Sequence, residues 1–220
     1  MKGKKIRVLI ADDHSIVRMG MATLLEIESD MELAGQAVNG RDAVEQALRL
    51  KPDVIIMDLM MPVLNGAEAA AEMTARLPTA KTIIFTTFPT SDLIAKAISN
   101  GATGAIFKSA AETELARAIR AVAAGETYIS PDVASLLASD PPVAPLTPRQ
   151  KEIMQAIARG LTNNDIAALL GITPTAIREH TIALFRKLGA ANRAEAVAIA
   201  FRKYLITEGD PPISGIAGQD

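Results

Sequence analysis

Four consecutive apolar residues, Val54-Ile55-Ile56-Met57, run straight into a carboxylate, Asp58. A strand that is apolar on both sides has to be covered on both faces, which restricts the chain to a largely parallel sheet flanked by helices. Such sheets bind ligands beyond the carboxyl ends of their strands. Asp58 therefore falls on the ligand-binding edge, and Leu59-Met60-Met61-Pro62-Val63-Leu64-Asn65-Gly66 reads as a loop, a turn and the start of a helix.

The same grammar repeats on either side. Ile6-Arg7-Val8-Leu9-Ile10-Ala11 is a strand that stops at Asp12-Asp13-His14 and leads into an amphipathic helix over 15–27. A weaker strand covers 31–37, Asn39-Gly40 punctuates it, and Ala43, Val44, Ala47 and Leu50 stripe a second helix. A helix over 66–77 ends before Pro78, and Thr82-Ile83-Ile84-Phe85-Thr86-Thr87 is another buried strand stopping at hydroxyls. A helix over 91–99 closes on Asn100-Gly101, the strand Ala105-Ile106-Phe107 ends at Lys108, and a helix over 112–124 stops at Gly125. Five β-α alternations predict a doubly wound, five-stranded parallel sheet over residues 1–125, with Asp12, Asp13, Asp58, Thr86 and Lys108 gathered on one edge.

Residues 126–146 read as a connecting helix and a linker, because Pro141, Pro142 and Pro145 exclude continuous helix or sheet there. A second, all-α domain of four helices is expected over 147–206. Thr147-Pro148, Thr162 with Asp165, Thr173-Pro174 and Asn192 mark its helix starts. Gly171-Ile172-Thr173 is the tight connection of a helix-turn-helix, whose second helix carries Ile177, Thr181, Leu184 and Leu188 on its inner face. On the last helix Val197, Ala198, Phe201 and Leu205 form an apolar stripe, part of it expected to be dimer surface, and the Gly- and Pro-rich stretch 207–220 is expected to be disordered.

The formal net charge is −2, yet between Pro145 and Leu205 nine Lys and Arg face only Glu152, Asp165, Glu179 and Glu195, a balance that suits phosphates. The chain has no cysteine, so disulfides and thiolate metal sites are excluded. With no apolar run of bilayer length and no signal-like start, a cytoplasmic protein without membrane contact is expected.

Asp12-Asp13-His14, Met57-Asp58-Leu59-Met60-Met61-Pro62 and Lys108 resemble the receiver domain of a bacterial two-component response regulator of the NarL/FixJ group. Leu146 to Ile153, Gly160-Leu161-Thr162-Asn163, Ile177-Arg178-Glu179-His180 and Lys187-Leu188-Gly189 resemble a LuxR-type helix-turn-helix. The order of the two halves is the family's, and the receiver fold it implies is flavodoxin-like. The resemblance implies Asp58 as phosphoacceptor, Asp12 and Asp13 with Asp58 and the Met60 carbonyl as ligands of Mg²⁺ or another divalent cation, Thr86 as the phosphoryl-contacting hydroxyl and Lys108 as its cationic partner. It implies a cognate histidine kinase, promoter DNA, a homodimer formed on phosphorylation and RNA polymerase as partners. Thr175, Arg178, Glu179, His180, Ile182, Arg186 and Lys187 are the expected DNA-facing residues.

Physical chemistry supports these roles independently: converging carboxylates repel, and a hard cation relieves them while accepting a phosphate oxygen. Three positions depart from the family pattern. Ala105 replaces the usual aromatic switch residue, and Asn164 and Ile182 stand where basic residues are common. The resulting expectation is a phosphorylation-controlled transcriptional regulator that is no turnover enzyme, catalysing only its own phosphorylation and dephosphorylation. A Mg²⁺-dependent phosphohydrolase would need a general acid that no matching strand end supplies. An interaction protein that dimerises without DNA is the other rival.

Overall fold

The structure, a computed structural model, describes residues 4–87, 90–110 and 112–206. The chain divides into two units, Met1–Pro141 and Pro142–Asp220. In the first, β1 (Ile6–Ala11), β2 (Met31–Ala37), β3 (Val54–Met57), β4 (Lys81–Thr86), β5 (Gly104–Phe107) and β6 (Tyr128–Ile129) pair in parallel in the order β2-β1-β3-β4-β5-β6. Alternate residues of each strand feed opposite faces. Leu9, Ala11, Ile55 and Met57 pack with α2 (Gly40–Leu50), α3 (Gly66–Arg76), α4 (Ser91–Ser99) and α6 (Pro131–Ser139). Val8, Ile10, Val54 and Ile56 pack with α1 (Ser15–Ile27) and α5 (Glu112–Ala123). All four residues of β3 are buried, as an apolar run without alternation requires.

The expected five-stranded sheet has a sixth strand. β6 is two residues long, too short to announce itself by periodicity, and it is fixed by its pairing of Ile129 with Ala105 and by Ser130 N–H donating to the Ala105 carbonyl. Ser130 then caps α6 with Pro131 in its first turn, and Val133 is fully buried against β5 and α4. Residues 126–141, read from the sequence as connector, are thus part of the first unit. Ala105 is completely buried in that core, with Ile129, Val133, Leu136 and Leu137 belonging to the same cluster.

In the second unit α7 (Pro148–Ala158), α8 (Asn163–Leu170), α9 (Pro174–Leu188) and α10 (Arg193–Arg202) enclose a core of Ile153, Ile157, Ile166, Ile177, Leu184, Leu188 and Ile199. Each start is capped as its sequence implies: the Thr147, Thr162, Thr173 and Asn192 side chains accept backbone N–H groups three residues on, and Asp165 completes a capping box with Thr162. Gly171 ends α8 at φ 65 and Gly189 ends α9 at φ 67, left-handed caps that favour glycine. The α10 stripe is turned only partly inward. Ala196, Ile199 and Ala200 are buried, whereas Ala198 and Phe201 are exposed and Val197 and Leu205 half-buried. On a helix this rich in alanine the two faces differ little in polarity, and the bulkier stripe is the outer one. The stretch 207–220 lies outside the described residues.

Candidate functional site

β1 and β3 are neighbours whose connections run to opposite sides of the sheet, so their carboxyl ends flank a switch point where helices leave a crevice. Asp12 and Asp58 are the first residues beyond them. Asp12 N–H donates to the Ala37 carbonyl at 3.2 Å and Asp58 N–H to Ala11 at 2.8 Å, so continued ladder bonding fixes both carboxylates. Lys108 N–H likewise donates to the Thr86 carbonyl at 2.9 Å. The Lys108 ammonium lies 2.9 Å from Asp58 Oδ2 and 2.5 Å from Asp12 Oδ2, with only 10% of its side chain exposed. Burial pushes the Asp58 carboxyl above its ordinary value, more than the hydrogen bond from Lys108 draws it down, and Asp12 adds to the rise.

Two buried oxygens in this pocket have no hydrogen-bond partner, Thr86 Oγ1 and Asp12 Oδ2; the latter faces the Lys108 ammonium as an ion pair without donor geometry. Carboxylate oxygens of Asp12, Asp13 and Asp58 and a ring nitrogen of His14 all lie within 4.8 Å of one another. Three carboxylates against one ammonium leave excess negative charge around oxygen donors, the chemistry a hard divalent cation satisfies. The donor set therefore fits such an ion. Met60 contributes a backbone hydrogen bond to the Asp58 carboxylate.

The loop that follows is tightly made. Leu64 N–H donates to the Pro62 carbonyl at 2.8 Å across Val63, whose φ of 70 is rare for a β-branched residue. Gly66 then returns against the strand end: a Cβ there would stand 2.1 Å from the Asp58 carbonyl oxygen, and its N–H donates to Leu59 at 2.9 Å. Arg18 on α1 donates to the Asp12 carbonyl at 2.7 Å. Neither Arg18 nor the role of Gly66 carries a sequence signal, because each depends on how α1 and α3 fold back. His14 stood in plain view beside the two aspartates without a role attached.

On α9, Thr175, Arg178, Glu179, Ile182 and Arg186 are exposed and His180 is half-buried, while Ile177 and Leu184 face inward and Thr181 Oγ1 donates to the Ile177 carbonyl. Lys187 differs from the others. Its ammonium donates to the Pro145 carbonyl at 2.6 Å and to Gln150 Oε1 at 3.1 Å, which ties α9 to the start of its own domain.

Comparison with known proteins places this geometry. Residues 8–120 match the response regulator receiver domain and residues 144–200 match the luxR family of bacterial regulatory proteins. The uncharacterized transcriptional regulatory protein YxjL of Bacillus subtilis is 36% identical over 94% of this chain and 100% of its own length. The transcriptional regulatory protein LiaR of the same organism is 37% identical over 91% of this chain and 99% of its own. Among solved structures, the response regulator ChrA of a heme-sensing two-component system aligns with a TM-score of 0.56 at 30% identity, covering 93% of this chain and all of that one.

Proposed function

Because this chain belongs to the response regulators that join a receiver domain to a LuxR-type regulatory domain, we propose that Asp58 is the residue through which it is switched. The protein is a phosphorylation-activated, DNA-binding transcriptional regulator of a two-component system. The observation that carries the residue assignment is the pocket itself: a buried carboxylate at the switch point, an ammonium 2.9 Å away and a buried hydroxyl without a partner.

The Asp58 carboxylate attacks phosphorus in line as the P–N bond to a kinase histidine breaks, forming an acyl phosphate. Lys108, already shared between Asp58 and Asp12, follows the charge onto the phosphoryl oxygens. Thr86 offers its unengaged hydroxyl as a neutral donor to one of those oxygens. A divalent cation, Mg²⁺ by its preference for oxygen donors, would be held by Asp12, Asp13, Asp58 and the Met60 carbonyl and would neutralise phosphoryl charge. With Ala105 lacking a rotamer to switch, the signal leaves through Thr86 and the backbone of β4.

In the second unit, exposed Arg178, Glu179 and Ile182 present the recognition helix to a major groove. One helix-turn-helix of modest positive charge binds weakly, and a two-fold pair reading two half-sites gains from linkage, so phosphorylation acts by promoting a homodimer. The test compares wild type with Asp58→Asn after treatment with a small phosphodonor and Mg²⁺. Intact-mass spectrometry is expected to show one added phosphate in wild type and none in the variant, and sedimentation to show a dimer only in the former. A phosphate retained by Asp58→Asn removes the assignment.

A further inference from the structure

His14 is 69% exposed, yet its Nδ1 is turned toward the acidic pocket rather than to solvent, 2.7 Å from Asp13 Oδ1 and 3.4 Å from Asp12 Oδ1. It stands at the N-cap of α1 in extended conformation, a position suited to Ser, Thr, Asn or Asp, and its side chain makes no capping bond. The imidazole therefore does nothing for the helix that a smaller polar residue would not do better. Its backbone serves the pocket too, since His14 N–H donates to Asp12 Oδ1 at 2.8 Å.

We propose that His14 supplies a nitrogen donor that makes this pocket a site for late first-row divalent cations such as Co²⁺, Ni²⁺ and Zn²⁺, beyond the Mg²⁺ its oxygens hold. The inference rests on reading the pocket as a divalent-cation site, and it deepens that reading. Donors bound to one such ion sit about 2.0–2.2 Å from it, and so no more than about 4.4 Å from each other. The His14 nitrogen and the oxygens of Asp12, Asp13 and Asp58, mutually within 4.8 Å, need only small movements to meet that limit. Asp12, whose side chain is almost fully buried, anchors the set: its Oδ1 lies 3.4 Å from the His14 ring while its Oδ2 faces the Lys108 ammonium at 2.5 Å, and the Thr86 hydroxyl of the same pocket is buried without a hydrogen-bond partner. Imidazole favours late transition ions, whereas Mg²⁺ prefers carboxylates, carbonyls and water, so the nitrogen alters affinity for one class and not the other. The chain has no cysteine and just two histidines, which leaves His180 in the other unit as the sole competing imidazole.

The test titrates the full chain with CoCl₂ and with MgCl₂ by calorimetry, using wild type, His14→Asn and His180→Asn. Asparagine suits an N-cap, so α1 keeps its start in the variant. His14→Asn is expected to weaken Co²⁺ binding by about tenfold or more, a loss at least equal to that of a ligand-supporting group, with Mg²⁺ binding unchanged. In proton spectra of the Co²⁺ form, a paramagnetically shifted exchangeable imidazole N–H is expected in wild type and His180→Asn and absent in His14→Asn. Equal Co²⁺ affinity in wild type and His14→Asn, or a shifted N–H that survives in His14→Asn, overturns the role of His14. Wild type that binds neither ion overturns the cation-site reading along with it.

Discussion

Gly66 lies against Asp58 through its missing side chain. A methyl group there would press on the Asp58 carbonyl at 2.1 Å and on the Leu59 backbone, and neither atom belongs to a flexible side chain that could yield. Gly66→Ala is therefore expected to cost about 2 kcal/mol or more in urea denaturation, with the end of β3 displaced. An unaltered midpoint would mean that α3 can shift away freely. At this scale Asp12, Asp58, Thr86 and Lys108 were legible in the sequence because each ends an apolar run, and parallel strands bring such ends to one edge. Arg18, Gly66 and His14 were not legible as participants. What they do is decided by a 2.7 Å bond to the Asp12 carbonyl, a backbone approach and a ring orientation, none of which leaves a periodic trace.

Helix α9 separates two kinds of basic residue. Arg178 is exposed on its outer face, whereas Lys187 is held by Pro145 and Gln150. Arg178→Ala is expected to lose about 1–3 kcal/mol of operator affinity if it reads a guanine edge, or to weaken all sequences evenly and lower the salt slope by about one if it meets phosphate. Lys187→Ala, by contrast, is expected to lower the thermal midpoint of the domain while leaving the salt slope in place. Helix α5 gives a pH-dependent case: hydrogen bonds from Arg120 at 2.7 and 2.8 Å hold the Asp30 carboxyl below the usual range. The stability this supplies is complete above the unfolded aspartate value of about 3.9 and drains away as pH falls through the lower folded value. The gap in urea midpoint between wild type and Arg120→Ala should accordingly narrow below about pH 4; a gap that is constant with pH removes the carboxylate from the account. The caps of α7 to α10 were readable from Thr, Asn and Pro at fixed offsets. The buried face of α10 was not, since its alanines fit either side.

Across the whole molecule, phosphorylation and DNA act on one chain whose second unit alone has a modest positive charge. Phe201, 38% exposed, lies on the outer face of α10 and not in the core. The described residues contain no helix long and apolar enough to cross a membrane. The short strand β6 and the helix after it have a further consequence for how the first unit can be separated. A fragment ending at Gly125 would uncover the hydrogen-bonding groups of β5 along Gly104 and Ala105, and would strip Val133 from the core around Ala105. A bare, apolar parallel edge is a template for pairing with other chains. The fragment 1–125 is therefore expected to aggregate on concentration, while 1–141 stays dispersed by light scattering. Equal behaviour of the two would show the edge to be harmless. Thus the sixteen residues from Glu126 to Pro141 act as a hem, keeping an otherwise sticky sheet from joining its neighbours in a crowded cell.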